Sequence, residues 1–220
     1  MKNLISIILF IAFSCFWGCS DKRANQDIER GRAELQRLRE KSKKHISLAD
    51  ETGIDSLVHF FEGEGTKEDL FVATFYRSWF LYDNNDLPRA YESFRHTYDL
   101  RQSAEQSATT DDIMRSVYTM LMLISEKEGF EEQAVEWCTD AEGSGVFADS
   151  TLYILLHAKA MLKTTLHEED SCLIYMNRSL EEMLKNSCWD ENMSWCLNEQ
   201  TAYCAMQGNM EEFPKRRQLL

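Results

Sequence analysis

Turn-forming residues are scarce in this sequence, with 2 prolines and 9 glycines among 220 residues. That is too few for the many turns of a stranded fold, so the composition favours helices. A surplus of positive charge is missing as well. The formal net charge is −13, which excludes general nucleic-acid binding, because neutralising phosphates requires a basic surface. The chain has no phosphate-binding glycine loop, no Gly-x-Ser-x-Gly, no His-x-x-x-His spacing and no Cys-x-x-Cys pair. No catalytic residue, cofactor or metal ion is therefore expected. Hydrophobic residues make up 44%, enough to build a core rather than a disordered chain.

The charge is unevenly spread. Residues 20–48 hold nine Lys/Arg against five Asp/Glu, whereas residues 49–214 hold eleven against thirty-two. A basic leader followed by an acidic body implies two environments. Ahead of them, Lys2 and an apolar run over residues 4–13 have the form of a secretory leader. The run is shorter than the roughly 20 residues of a membrane span. It ends in Phe16-Trp17-Gly18-Cys19, then Ser20-Asp21. This resembles the lipobox of bacterial lipoproteins, although Phe16 and Trp17 stand where aliphatic and small residues are usual. The resemblance implies that residues 1–18 are a signal peptide, that Cys19 is acylated, and that the protein is lipid-anchored in the cell envelope. Ordinary signal-peptide cleavage, an uncleaved anchor and a coincidental cysteine are the other readings. Ser20 is compatible with outer-membrane sorting, with the side of the membrane left open.

Residues 24–49 read as a charged helix with a narrow apolar stripe (Ile28, Leu35, Leu38, Ile46, Leu48), weakened at Gly31. It is either a basic rail near an anionic membrane or a first helix packing one thin face. Domain boundaries fall at a lipid attachment and leader over 19–49, a helical domain over 50–214 and a basic tail over 215–220. The clearest unit spans residues 68–100, two helices joined at Asp83-Asn84-Asn85-Asp86, with Pro88 in the second helix's first turn. Thr66 with Asp69, and Thr109 with Asp112, have capping-box spacing. Asp149 or Ser150 caps a helix over 151–163, residues 167–170 turn into a helix over 171–184, and Ser187 with Asp190 opens the next, through 206. Acidic pairs near helix starts suit the helix dipole better than catalysis.

A small residue, a larger one four later and a small one three after that recur in each second helix. The sets are Ala90, Phe94, Thr97, then Ala134, Cys138, Ala141, then Cys172, Met176, Ser179. Small side chains are needed where two helix axes approach. Cys188, Cys196 and Cys204 stand eight apart, a drift of about 80° per step on a helix, so they share no metal face. Buried thiols are the expectation for the cysteines, and a packed, satisfied side chain for His157. Asn177-Arg-Ser179 and Asn192-Met-Ser194 match glycosylation sequons but fall inside expected helices.

Asn85-Asp86-Leu87-Pro88-Arg89-Ala90 resembles the Gly-Asp-x-x-x-Ala turn of the tetratricopeptide-repeat (TPR) family. Gly129 to Ala134 keeps that spacing, and Gly208-Asn209 resembles the turn of a last, curtailed unit. Residues 55–100 are most similar to degenerate repeats in Bacteroidota lipoproteins and sensors, with Arg77-Ser78 in place of the preferred Leu-Gly. The resemblance implies an all-α, right-handed superhelical array of antiparallel helix pairs that holds a protein or peptide partner. On that expectation Tyr76, Arg77, Trp79, Tyr82, Arg89 and Arg95 are candidates for the partner surface, in a non-enzymatic scaffold with no nucleic-acid role. The alternative is a sensory or regulatory protein, related to or truncated from repeat proteins with a transmembrane and a DNA-binding domain.

Overall fold

An α-helix leaves its last carbonyls without partners, and this chain answers that need in one way five times. In the computed structural model, which describes residues 25–101, 107–186, 191–209 and 211–219, the backbone turns left-handed at His45, Asn85, Gly129, His167 and Gly208. At Asn85 the amide donates to the Tyr82 carbonyl at 2.8 Å, and the Asp86 amide to the Leu81 carbonyl at 3.0 Å. The same two bonds recur at Gly129, His167 and Gly208 with lengths of 2.8–3.2 Å. These are Schellman closures. At Asp86, Phe130 and Glu168 the next residue then starts a new helix, its carbonyl accepting from Ala90, Ala134 or Cys172 at 2.8–3.0 Å.

Every element among the described residues is helical. In chain order they are α1 (25–43), α2 (Ile54–Glu64), α3 (Lys67–Asp83), α4 (Leu87–Leu100), α5 (Ala108–Lys127), α6 (Glu131–Ser144), α7 (Leu152–Thr165), α8 (Glu169–Asn186), α9 (Glu191–Met206) and α10 (Glu212–Arg217). Adjacent helices pair as α3–α4, α5–α6, α7–α8 and α9–α10. The chain divides into two compact units, Met1–Glu105 and Gln106–Leu220.

In the first unit α1 is a packed helix rather than a free rail. Leu35, Leu38 and Leu48 are buried, whereas Ile46 is exposed. Gly31 is buried because α2 passes over it: a Cβ there would sit 2.7 Å from the Phe61 ring. The glycine that weakens α1 is the one that lets α2 approach. Arg32 grips Asp69 of α3 through two bonds of 3.0 Å. Asp69 also completes the capping box, accepting from the Thr66 amide at 3.0 Å while its own amide donates to the Thr66 hydroxyl at 3.1 Å. Burial pushes the Asp69 carboxyl up, but Arg32 and Thr66 outweigh it and hold it below its ordinary value. Arg37 and Lys41 both clasp Glu51. Arg37 first, and then Lys41 against the effect of burial, lower the Glu51 carboxyl to about 2. Three of the leader's cations are thus spent inside the unit.

Between α3 and α4 the core is small and hydroxylic where the axes meet. Ser78 donates to the Thr74 carbonyl at 2.8 Å, and its Oγ lies within hydrogen-bond reach of Ser93 Oγ at 2.9 Å and Thr97 Oγ1 at 3.4 Å. All three repeat triplets are interior: Ala90, Phe94, Thr97, Ala134, Ala141, Cys172, Met176 and Ser179 are 0% exposed and Cys138 is 5% exposed. The four described cysteines, Cys138, Cys172, Cys196 and Cys204, are buried.

Several local expectations need correction. The cap of α5 is Ser107, whose hydroxyl accepts from the Thr110 amide at 3.2 Å; Thr109 lies inside the helix, because its neighbour reaches the orphan amides first. The N-cap of α7 is Thr151, whose side chain makes no capping bond. A 3₁₀ turn over Asp149–Thr151 leads into it instead. Lys215, Arg216 and Arg217 belong to α10 rather than to a basic tail, and Arg216 is wholly buried. Ser187 and Asp190, with residues 1–24 and hence Cys19, lie outside the described residues.

The Gly31→Val protein will lose about 1–3 kcal/mol from overpacking against Phe61. In contrast Gly63→Ala, at an open helical position, will gain about 0.5–1 kcal/mol; denaturant titration of both variants checks the opposite signs. Because Glu51 titrates below the ordinary 4.5 of its kind, its contribution is complete above that pH and fades as pH falls toward about 2. Amide-exchange protection of α1 should fall across that window, and the part owed to Glu51 should be missing in Glu51→Gln.

Candidate functional site

The six expected surface residues do not share one fate. Tyr76 is not on a surface at all: it is 4% exposed, and burial pushes its hydroxyl up to about 12. The cause is that α3 packs against both α2 and α4, so two of its faces are interior. Arg77 spans to α2, donating from Nε to Asp55 at 2.6 Å. Trp79 and Tyr82 are half-buried in an edge-to-face pair with centroids 5.7 Å apart. The Trp79 ring also meets Phe75 and Phe94, and its Nε1 is buried without a partner. Arg89 and Arg95 are exposed on α4, Arg89 pairing with Asp86 at 3.2 Å. They fall about 120° apart around the helix, so these residues form an aromatic edge flanked by cations, not a convergent cleft.

The second unit holds the densest polar chemistry, and it is inside. Arg216 of α10 donates from Nε to Gln200 Oε1 at 3.2 Å, from Nη2 to Asn177 Oδ1 at 2.6 Å, and from Nη1 to Glu212 Oε2 at 2.5 Å and the Glu212 carbonyl at 3.4 Å. Gln200 Nε2 reaches Ser179 Oγ at 3.3 Å and His157 Nδ1 at 3.4 Å. Ser179 donates to the Tyr153 carbonyl at 3.0 Å. The far nitrogen of His157 meets Glu199 Oε2 at 2.9 Å. His157, Ser179, Gln200 and Arg216 are each at most 2% exposed. One hydrogen-bonded chain therefore ties α7, α8, α9 and α10 together, and a network this deep is stabilising only when each member is satisfied. His157 is the packed, bonded histidine that its setting suggested.

Sequence reasoning missed Gln200, Asn177 and Arg216. A glutamine between Leu197 and Cys204 on a helix, and a glutamate four residues before an arginine, were the available signals. A depression of about 420 Å³ is lined only by His167, Glu168, Glu169, Asp170 and Ser171, one turn and the start of one helix. Among the described residues no three His, Cys, Asp or Glu side chains gather as a metal site, and no helix is long and apolar enough to cross a membrane.

Arg216→Met should cost about 3 kcal/mol, because it strands Asn177, Gln200 and Glu212 beside an apolar chain. Lys215→Met, one residue away on the exposed side, should change stability by less than about 0.5 kcal/mol. Urea unfolding followed by helical circular dichroism compares them.

The chain matches no protein-family model, no curated protein and no solved structure, so its function is read from its own residues.

Proposed function

We propose that this chain is a lipid-anchored, non-enzymatic interaction module of the bacterial cell envelope. Its helix pairs form a TPR-like, right-handed array tethered to the outer membrane through Cys19. The observation that carries this reading is the recurrence of one buried triplet after one kind of turn, at Ala90, Ala134 and Cys172. A helix hairpin cannot bury its apolar face alone, so such units stack and leave an extended surface that suits a peptide or protein. Ser78, buried at the axis crossing where the family prefers glycine, keeps the same close approach. In the first unit the partner-facing positions are Trp79, Tyr82, Arg89 and Arg95, which remain at least partly exposed.

Two measurements test the two halves of this reading. The mature protein should have lost residues 1–18 and carry acyl mass on Cys19, and Cys19→Ala should move it out of the membrane fraction. A mature chain without lipid sinks the anchor. A photo-crosslinking residue at Arg95 should give one discrete adduct in the native envelope, whereas no adduct at Arg89, Arg95 or Tyr82 sinks the interaction surface.

A further inference from the structure

The buried chain in the second unit ends at the surface in the Glu199 carboxylate, which has no Lys or Arg partner among the described residues. Gln200 settles where the proton of His157 lies. Because Gln200 Oε1 accepts from Arg216 at 3.2 Å, its Nε2 faces His157 Nδ1. A ring nitrogen that faces an amide N–H is an acceptor, so this network assigns the imidazole proton to Nε2, which donates it to Glu199. His157 meets Glu199 through Nε2 at 2.9 Å. The other end of the chain is different: Glu212 holds both Arg216 at 2.5 Å and Lys215 at 2.7 Å. Helix α9 carries no Lys or Arg, and among the described residues His157 is the one ion-pair partner recorded for Glu199.

Trp195 lies one turn before Glu199 on the same face of α9. Its ring stands edge-on to His157, with centroids 5.0 Å apart at 75°, and 46% of the residue is exposed. Glu199 keeps 40% of its side chain exposed. His157 engages Oε2, and the exposed part of the carboxylate faces solvent beside the indole. Ala202, next along that face, is exposed and small, which keeps the approach clear. The one buried imidazole thus fixes an indole and a part-exposed carboxylate side by side.

We infer that Trp195 and Glu199 form a grip for a single arginine side chain in a basic segment of a protein partner. The guanidinium stacks over the indole, where the ring quadrupole attracts a cation within about 6 Å of its centroid. It donates at the same time to Glu199 Oε1. Arginine fits better than lysine because its planar fork stacks and pairs at once. The acidic balance of residues 49–214, eleven cations against thirty-two anions, favours the same partner charge. The inference rests on the interaction-module reading for the partner's being a protein, not for its charge.

The test uses the full-length protein and acetyl-Gly-Arg-Gly-amide, beside the citrulline peptide of the same shape without charge. The readout is the indole N–H resonance of Trp195, assigned by its loss in Trp195→Phe. The arginine peptide should move it saturably, the citrulline peptide should leave it in place, and Glu199→Gln should weaken the arginine response by about fivefold or more. Equal shifts from both peptides, unchanged affinity in Glu199→Gln, or no shift at millimolar arginine peptide would overturn the grip. The peptide comparison needs no variant, so it stands even if Glu199→Gln disturbs the fold. Envelope crosslinking from Arg95 reads the other unit, so either idea can fail alone.

Discussion

Everything in this chain depends on satisfying helix-end carbonyls without spending residues on loops. Each closure uses one residue in the left-handed region, and at Asn85, Gly129 and His167 the next helix begins at once. The cost falls on that residue's backbone. Glycine takes it freely at Gly129 and Gly208, while at His45, Asn85 and His167 a side chain is carried into a conformation that L-residues find unfavourable by about 1–2 kcal/mol. Two or more carbonyls bonded inside the turn offset that cost, and the short turn fixes the partner helix antiparallel. Close axis approach then selects small residues at Ser78, Ala90, Ala134 and Cys172.

The two units solve the interior differently. The first relies on rings and short hydroxyls, with Phe75, Trp79 and Phe94 meeting edge to face and Ser78, Ser93 and Thr97 bonded where the helices cross. The second relies on a side-chain network whose members come from four helices. Rings tolerate small shifts of a neighbour, whereas a buried network fails as a whole when one bond is lost. The first unit is therefore the more forgiving scaffold, and the second is the one whose geometry specifies a unique arrangement of its surface groups.

How much of this was legible follows the range of each signal. The turn at residues 83–88, the Thr66–Asp69 box and the three triplets are local patterns, and the structure repeats them. The left-handed histidines were not legible, because a histidine carries no local mark of that conformation as glycine does. Tyr76 was placed on a surface because one helix face was counted where two are covered. Arg216 looked like part of a solvated basic run because its acceptors, Asn177 and Gln200, are 39 and 16 residues away in sequence. The grouping of His157, Glu199 and Trp195 is a product of packing between α7 and α9 and has no sequence signature.

The thiols add a kinetic property to this architecture. Cys138 lies in α6, Cys172 in α8, and Cys196 and Cys204 in α9, all shielded from solvent. A shielded thiol reacts only when its helix opens, so its modification rate follows how readily that helix opens. Burial also raises the Cys138 and Cys204 thiols, which removes thiolate from the closed state. The second unit thus carries, in three of its helices, chemical clocks that stay silent in the native state and start with the first excursion of each helix.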